Sequence, residues 1–424
     1  MNTRKIAVTT LIKIIQNNSY NNIALSNTFK KNKSLTSQQR AFITDIVNGT
    51  LRNLLHIDYI INSVSNINTN KMDNIVLYTL RISMYEIFYT TSEYYAICNE
   101  AVSIVKHTHK HLAPFVNAVL RNVLRNKHKI SYPNNYYENL SIINSIPMWI
   151  INYYITFLSD QQIKDFCYSS NKPPKVSLCV NTLITDMQSL LNSLKLESVD
   201  ATLSNDKTAI YVTKTKNICD LQTFKNGHFH VMDTISMKVV ETLSPKPNTT
   251  VYDVCAAPGG KSFYMAYLMK NTGIIYATDI HNHKINLIKN NAKRLGITTI
   301  NASVNDATSI SGILKPNYAD YVLLDVPCSG LGTLRKKPDI KYTKTLNDID
   351  SLANVQKEIL KISAKYAKIG GLMLYSTCTI SIKENQHNIK WFIKNHDYQL
   401  IQETQYMPTQ DTDGFYTALL KRRS

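Results

Sequence analysis

Two cysteines that follow apolar, strand-like segments are the residues best placed to do chemistry in this chain. Cys328 lies in the sequence DVPCS, and Cys378 lies in the sequence YSTCT. Because the carboxyl ends of parallel strands meet at one edge of a sheet, both thiols can face the same cleft. A lone cysteine is more often an inert, buried side chain, but two cysteines at neighbouring strand ends favour a functional pair.

Such a pair suits one reaction that is otherwise difficult. A thiolate that adds to C6 of a pyrimidine makes C5 nucleophilic enough to accept a methyl group. The second thiol can then assist the breakdown of the adduct. The two cysteines therefore indicate covalent catalysis on a bound base.

A glycine-containing loop supplies the second candidate site. The sequence DVCAAPGGK, from Asp253 to Lys261, leaves an apolar strand and enters a helix, and its glycines allow the backbone to approach a ligand. Asp279 closes the following strand about 20 residues later, where a carboxylate can hold ribose hydroxyls. Asp306 follows the third strand, near the expected position of an adenine. We expect a nucleoside cofactor here rather than a set of capped turns.

The same residues argue against a metal site and against disulfide bonds. The acidic side chains leave separate strands without clustered ligand spacing. The seven cysteines form no CxxC pair, and an odd number without paired spacing does not suggest a disulfide framework. No segment reaches the roughly 18 apolar residues of a membrane span, and the N-terminus lacks the pattern of a signal peptide. We expect a cytoplasmic protein with reduced thiols, no metal and no membrane partner.

The charge of the chain indicates a polyanionic partner. The 424 residues carry a formal net charge of +18, and residues 1–140 contribute 16 Lys and Arg against 7 Asp and Glu, or +9. An excess of this size favours nucleic acid as the partner, although a solvated, lysine-rich surface is the plain alternative. Its concentration in the first third of the chain favours a dedicated binding domain.

The pattern along the chain predicts three domains. Residues 1–135 have apolar residues at helical spacing and indicate an all-helical bundle. Residues 141–245 mix helices with short strands and indicate a small α+β domain. Residues 246–424 alternate strands with helices, which predicts an α/β fold with a mainly parallel sheet and helices on both faces.

The helix that ends the bundle carries basic residues in its last turn and beyond. Arg125, Lys127 and Lys129 can touch phosphate, or they can simply complement the helix dipole.

In the C-terminal part the predicted elements are strands at 250–254, 274–278, 299–304, 321–324 and 372–376, and helices starting at 261, at 284–295 and at 352–367.

Three of these sequences together resemble one protein family. DVCAAPGGKS from Asp253, DVPCSG from Asp325 with PDIK from Pro338, and YSTC from Tyr375 with EN at Glu384 are similar to the RsmB/Sun (Fmu) family of S-adenosylmethionine-dependent RNA cytosine-5 methyltransferases. The N-terminal sequences YAICNEAV and FVNAVLRNVLR resemble the NusB-type RNA-binding bundle of its ribosomal RNA members, and DGFY resembles its C-terminal strand. The resemblance covers essentially the whole chain.

The resemblance implies a fold, a reaction and a set of residues. It implies a NusB-like bundle, a small α+β domain and a Rossmann-like methyltransferase domain that act on 16S ribosomal RNA, at C5 of cytosine 967. We expect the protein to be a monomer. By the same resemblance, Cys378 is the nucleophile, Cys328 aids product release and Asp325 also faces the base. S-adenosylmethionine would be held by Cys255, Ala256, Ala257, Pro258, Gly259, Gly260, Lys261, Asp279, Asp306 and Asp325.

Three other functions stay open at this point. A transfer RNA cytosine-5 methyltransferase is disfavoured by the NusB-like sequences, because transfer RNA members generally carry other modules. A DNA methyltransferase would use the Pro-Cys thiol, here Cys328, as its nucleophile. A non-catalytic RNA-binding, antitermination-like factor is disfavoured by the intact cysteines and glycine loop. The chain departs from the family pattern at Ile146, Cys179 and Met237, where His, Arg and Gln are usual.

Overall fold

The chain forms two compact units in the computed structural model, which describes residues 2–17, 19–204, 208–214 and 217–424. The first unit is Met1–Lys172 with Leu334–Lys344, and the second is Pro173–Thr333 with Thr345–Ser424. The chain therefore leaves the second unit shortly after Cys328, contributes a short segment to the first unit, and returns. The domain boundaries expected at residues 135, 141 and 245 stay a prediction about independently folding domains.

The first unit is helical, as the sequence predicts. Its helices are α1 (Thr3–Gln16), α2 (Asn21–Lys31), α3 (Ser37–Arg52), α4 (Leu54–Val64), α5 (Asn74–Tyr89), α6 (Tyr94–Thr108), α7 (Ala113–Asn126), α8 (Tyr136–Ile143), α9 (Met148–Ile155), α10 (Asp160–Ser170) and the short α16 (Ile340–Thr343), with 3-10 turns at Thr69–Lys71, Lys110–Leu112 and Lys127–Lys129.

Helix α5 is the centre of this unit. Its residues from Val76 to Ile87 are buried, and it contacts α1, α3, α4, α6 and α7. Helix α3 approaches it closely because residue 49 is glycine: a Cβ at Gly49 would lie 2.0 Å from the ring of Tyr85. The buried Glu86 is paired with Arg4 at 2.7 Å, which offsets the cost of placing a carboxylate in an apolar bundle.

The segment Leu334–Lys344 is held within the first unit by polar contacts. Asp339 accepts a hydrogen bond from the backbone N–H of Asn21, at the start of α2, at 3.2 Å. Lys341 is 1% exposed, and its Nζ donates to the carbonyl oxygen of Arg52 at 3.0 Å. Burial lowers the pKa of Lys341 to about 7. The PDIK sequence therefore belongs to the helical unit, whereas both candidate thiols belong to the second unit.

The second unit contains two sheets. Its strands are β1 (Val176–Val180), β2 (Asp200–Leu203), β3 (Ile210–Lys214), β4 (Phe229–Val231), β5 (Thr250–Asp253), β6 (Ile274–Asp279), β7 (Ile300–Val304), β8 (Ala319–Asp325), β9 (Ala367–Thr377), β10 (Tyr398–Tyr406) and β11 (Phe415–Arg422). Its helices are α11 (Met187–Leu196), α12 (Gln222–Lys225), α13 (Thr234–Leu243), α14 (Gly260–Leu268), α15 (Asn282–Arg294), α17 (Leu346–Ser363) and α18 (Gln386–Asn395), with a 3-10 turn at Ile218–Asp220.

The larger sheet determines where a ligand can bind. The small sheet has the order β2-β3-β1-β4, and the large sheet has the order β10-β11-β9-β8-β5-β6-β7. Strands β5 to β9 are parallel, and β11 is antiparallel to both of its neighbours. The chain runs outward from β5 to β7 and then returns to place β8 beside β5. Loops that leave β5 and β8 therefore diverge, which opens a crevice at the carboxyl edge of the sheet.

Helices cover both faces of this sheet, as expected. On β5, Val251 packs into the apolar cluster that contains α13, α14 and α15, whereas its neighbour Tyr252 packs into the cluster that contains α17 and α18. This alternation follows from the two-residue period of a strand. The parallel strands are thereby buried on both faces, and in sheets of this kind ligands bind at the carboxyl edge.

Three predicted boundaries, at the two ends of one helix and at the start of the next strand, are wrong. The helix expected at 352–367 is α17, which begins at Leu346 because Thr345 and Asp348 form a capping box. It ends at Ser363, and β9 already begins at Ala367 rather than at Leu372. The strand includes Gly370, whose φ of 78° lies in the left-handed region.

Candidate active site

The two candidate thiols lie next to each other. Cys328 follows β8 and Cys378 follows β9, and the parallel pairing of these strands sets Asp325 opposite Ser376. The two Sγ atoms are 3.1 Å apart, and the backbone N–H of Cys378 donates to Sγ of Cys328 at 3.3 Å. Both side chains are partly exposed, so a substrate can reach them.

The surroundings of Cys328 favour its protonated form. The neighbouring Cys378 thiol, burial and the charge of Glu384 all raise the pKa of Cys328 well above its ordinary value. A thiol with a raised pKa remains protonated at neutral pH and is a poor nucleophile. Cys328 is therefore better suited to carry a proton than to make the first attack.

An ion pair lies beside the thiols. Asp325, the last residue of β8, accepts hydrogen bonds from Nζ of Lys261 at 2.6 Å and from Oγ of Ser376 at 2.8 Å. Burial opposes the charge on Lys261, but the ion pair with Asp325 raises the pKa of Lys261 above its ordinary value. The ammonium also interacts electrostatically with Cys378, and a nearby cation favours a thiolate.

The glycine loop lines a cleft of about 190 Å³ at the carboxyl edge of the sheet. The residues expected there that line it are Cys255, Ala256, Ala257, Pro258, Gly260, Lys261 and Asp325. Gly259, Asp279 and Asp306 are not among the lining residues. Gly259 instead shapes the loop: its φ is 105°, and a Cβ there would lie 2.5 Å from the ring of Phe263.

The opposite wall of the cleft was not predicted by any pattern in the sequence. That wall is formed by the end of β4 and the start of α13, through Val231, Met232, Asp233 and Ser236. Asp233 accepts a hydrogen bond from the N–H of Ile235 at 3.0 Å and so begins α13. A helix-capping aspartate is common in sequences, so its position beside a cleft could not be inferred from the pattern.

Asp253 begins the predicted loop sequence and also lines the cleft, although it was not among the residues expected to hold the cofactor. Its side chain is 0% exposed, Oδ2 accepts a hydrogen bond from Oγ of Ser262, and Oδ1 has no hydrogen-bond partner among the described residues. Burial raises the pKa of Asp253 to about 7, with a further contribution from the charge of Asp325. A buried carboxylate with one unpartnered oxygen is a suitable site for a cationic ligand group.

The other two strand-end acids differ in their environments. Asp279 ends β6 and is 9% exposed, and its Oδ1 accepts from the N–H of His281 at 3.1 Å and lies 3.5 Å from Nζ of Lys284. Asp306 is exposed, and its Oδ1 accepts from both Oγ1 and the N–H of Thr308, at 2.7 and 2.9 Å. These hydrogen bonds lower the pKa of Asp306 and engage one of its oxygens in a local turn.

The three departures from the family pattern are buried. Ile146 and Met237 are each 0% exposed, and Cys179 is 1% exposed. Cys179 and Met237 belong to one apolar cluster that also includes residues of α14 and β5. These two positions therefore contribute to packing beneath the cleft, whereas Ile146 is buried in the helical unit.

The described residues offer neither a metal-binding cluster nor a membrane-spanning helix. Within the ranges that the structure describes, no group of three or more His, Cys, Asp or Glu side chains is arranged to hold a metal ion. Over the same ranges, no helix combines the length and the apolar character needed to span a bilayer.

Known proteins are similar to this chain in sequence and in fold. The family model for 16S rRNA methyltransferase RsmB/F matches residues 240–421, and the NusB family model matches residues 1–125. A human protein named 28S rRNA (cytosine(4447)-C(5))-methyltransferase is 29% identical over 69% of this chain and 40% of its own. The crystal structure of a protein called PH0851 has a TM-score of 0.82 at 27% identity, covering 100% of this chain and 99% of that chain.

A Bacillus subtilis protein named "Probable ribosomal RNA small subunit methyltransferase B" is similar over nearly its whole length. It is 37% identical over 93% of this chain and 88% of its own. Together with the two family models, this identity confirms the expected NusB-like region and the Rossmann-like methyltransferase fold. The chain belongs to the 16S rRNA methyltransferase RsmB/F family.

Proposed function

We propose that this rRNA methyltransferase transfers a methyl group from S-adenosylmethionine to C5 of a cytosine in 16S ribosomal RNA, cytosine 967, through a covalent bond between Cys378 and C6 of the base. The observation that carries the proposal is the 3.1 Å approach of the two thiols at the carboxyl edge of the sheet, beside the glycine-loop cleft. The names of the Bacillus and human relatives support the small-subunit RNA and the cytosine C5, respectively.

The cleft suits this cofactor. The amino group of S-adenosylmethionine is cationic, so it can bind the buried Oδ1 of Asp253, an acceptor without a partner among the described residues. The N-terminus of α14 has no side-chain cap, so its N–H groups can bind the cofactor's carboxylate. Asp279 would hold the ribose and Asp306 the adenine, with residues 255–261 and Asp325 completing the set. When bound, S-adenosylmethionine supplies the electrophilic methyl group.

Cys378 is the nucleophile that attacks the base. Its thiolate forms the bond to C6, and the electron pair displaced from the C5–C6 double bond makes C5 the nucleophile. Lys261 lies close enough to favour the thiolate, and Asp325, held by Lys261 and Ser376, stabilises the protonated base of the adduct. C5 then takes the methyl group as the sulfonium–methyl bond breaks, and the electron pair of that bond stays on the cofactor sulfur, which leaves as a thioether.

Release of the product requires the second thiol. The proton on C5 passes to solvent, which can reach the partly exposed thiols. The electron pair of the C5–H bond restores the C5–C6 double bond, and the C6–S bond breaks with its electron pair returning to Sγ of Cys378. Cys328 is held in its protonated form 3.1 Å from that sulfur, so it can donate a proton to the departing group.

Substitution of each cysteine tests this division of roles. Cys378→Ala should bind cofactor and RNA but form neither adduct nor product. Cys328→Ala should accumulate a protein–RNA species that survives denaturing gels and that is absent from the double variant. Cys219→Ala, at an exposed cysteine outside the cleft, serves as the control. If Cys378→Ala still methylates while Cys328→Ala is inactive, the roles are reversed, as in the DNA-type mechanism.

The target nucleotide needs a separate experiment. Bisulfite sequencing of ribosomal and transfer RNA from a strain that lacks this gene should show loss of one 5-methylcytosine in 16S ribosomal RNA. Loss from a transfer RNA instead would support the transfer RNA alternative. RNA binding by residues 1–135, a monomeric state, and a cytoplasmic location that keeps both thiols reduced belong to the same proposal.

A further inference from the structure

Glu384 holds the loop that carries Cys328. The side chain of Glu384 is 0% exposed. Its Oε1 accepts from the backbone N–H of Ser329 at 2.8 Å, and its Oε2 accepts from Oγ of the same residue at 2.6 Å. Ser329 directly follows Cys328, so this two-point attachment fixes the residue next to the thiol.

Asn385, the next residue in the chain, holds the loop that carries Cys378. Its Oδ1 accepts from Oγ1 of Thr377 at 2.6 Å, and its Nδ2 donates to the carbonyl oxygen of Thr379 at 3.0 Å. These two threonines flank the thiol. Asn385 is also the N-cap residue of α18, yet its side chain makes no capping hydrogen bond there. An asparagine at an N-cap ordinarily caps its helix. The side chain of Asn385 instead bonds the Cys378 loop, and its Nδ2 also donates to Oε1 of Gln405 at 3.1 Å.

A third residue ties these two attachments together. Gln356 on α17 is 0% exposed, and its Nε2 donates to the carbonyl oxygen of Pro327 at 2.9 Å and to Oε1 of Glu384 at 3.1 Å. Across the site, Oγ of Ser329 lies 3.0 Å from Oγ1 of Thr379, which links the two cysteine loops directly. The chain before and after each thiol is therefore fixed by buried hydrogen bonds.

A buried carboxylate is an expensive way to fix a loop. Burial raises the pKa of Glu384, and the hydrogen bonds from Ser329 and Gln356 oppose that rise. Removing a carboxylate from water is costly, and the three hydrogen bonds that Glu384 accepts from Ser329 and Gln356 offset only part of that cost, since the pKa of Glu384 stays raised. The charge itself therefore calls for an explanation beyond packing.

We propose that Glu384 and Asn385 are positioning residues that hold the sulfur of Cys328 against the sulfur of Cys378 during the covalent cycle, a role that rests on the proposed function. Glu384 has a second effect, because its negative charge disfavours a thiolate on Cys328. It thereby leaves the attack to Cys378 and keeps a proton on Cys328 for product release.

The reactivity of Cys328 tests the charge effect without RNA or cofactor. In a Cys378→Ala background, Glu384→Gln should increase the rate at which iodoacetamide alkylates Cys328 at pH 8 by about tenfold. The reason is that removal of a nearby negative charge lowers the pKa of a thiol by about one unit. Mass spectrometry of the peptide that contains Cys328 measures the rate. Glu358→Gln, at an exposed glutamate on α17, is the matched control and should leave the rate unchanged.

The catalytic cycle tests the positioning effect. Asn385→Ala should slow adduct formation in a Cys328→Ala background by about tenfold, as misplacement of a reacting group does, while the KM for S-adenosylmethionine stays the same. Asn395→Ala, at the other end of α18, is the control, because among the described residues that side chain bonds within its own helix, to the carbonyl oxygen of Trp391. Should Glu384→Gln fail to fold, Ser329→Ala keeps the charge, removes one attachment and should lengthen the lifetime of the adduct.

The possible failures can be distinguished. An unchanged alkylation rate in a folded Glu384→Gln protein overturns the charge effect. Normal adduct kinetics in Asn385→Ala and Ser329→Ala overturn the positioning role. A Cys328→Ala protein that binds RNA and cofactor but never forms an adduct overturns the proposed function instead, whatever the alkylation rates show.

Discussion

Replacing Asp253 with asparagine should remove a pH dependence from cofactor binding. Oδ1 of Asp253 is buried beside the cleft without a hydrogen-bond partner among the described residues, and burial raises the pKa of Asp253 to about 7. An ammonium group placed near this oxygen favours the ionised carboxylate. Cofactor binding must therefore release a proton from the fraction of protein in which Asp253 is neutral.

The size of the effect follows from that pKa. A group with a pKa of 7 is about nine-tenths ionised at pH 8 and about one-tenth ionised at pH 6. If only the ionised form binds, affinity at pH 6 is about tenfold weaker than at pH 8, which corresponds to about 1.4 kcal/mol.

The stability of the protein without cofactor should have the opposite pH dependence. The pKa of Asp253 is higher in the folded than in the unfolded protein, so the folded state binds more protons between the two values. Its contribution to stability is complete below the unfolded pKa and is lost as pH rises through about 7. Asp253→Asn lacks this loss and should be more stable than the wild type at pH 8.

Titration calorimetry with S-adenosylmethionine at pH 6, 7 and 8, in two buffers of different ionisation enthalpy, measures both affinity and proton release. Asp253→Asn should bind more weakly but with similar affinity at all three values. The control is Asp320→Asn, near the amino end of β8, where the carboxylate accepts a hydrogen bond from the N–H of Thr250. This variant should keep the wild-type dependence of affinity on pH. A wild-type affinity that is constant from pH 6 to pH 8, or a variant that keeps the tenfold change, would refute the reasoning.

Two further predictions concern RNA binding and the fold. Replacing Arg125, Lys127 and Lys129 with glutamine should reduce the log–log salt slope of RNA binding by roughly 0.7–0.9 for each phosphate that is no longer neutralised, with cofactor affinity unchanged. An unchanged slope would mean that these charges are only solvated. Gly332→Ala should destabilise the protein by about 1–3 kcal/mol in urea unfolding, because the new Cβ would lie 2.1 Å from the carbonyl oxygen of Gly414. Gly312→Ala, with no atom within 4 Å of its Cβ, should have little effect, and equal destabilisation of both variants would contradict this expectation.

The elements that the sequence predicted well are those set by local pattern. The helical first unit follows from apolar residues at helical spacing, and the C-terminal sheet follows from short apolar runs that alternate with helices. The same locality allowed Cys328, Cys378 and the glycine loop to be placed at strand ends. Local signals were also missed: the capping box at Thr345 and Asp348 was present in the sequence and would have corrected the start of α17.

What the sequence by itself determined is therefore which groups lie at the carboxyl ends of the parallel strands: two thiols and a glycine loop. Only the tertiary structure decided their relations. The 3.1 Å between the sulfurs depends on the pairing of β8 with β9, and the second wall of the cleft comes from β4 and α13. Burial raises the pKa values of Asp253 and Glu384, and that burial likewise comes from many contacts between residues far apart in the sequence. Sequence spacing carries no record of such contacts, because residues far apart in the chain become neighbours only when the sheet and its covering helices have assembled.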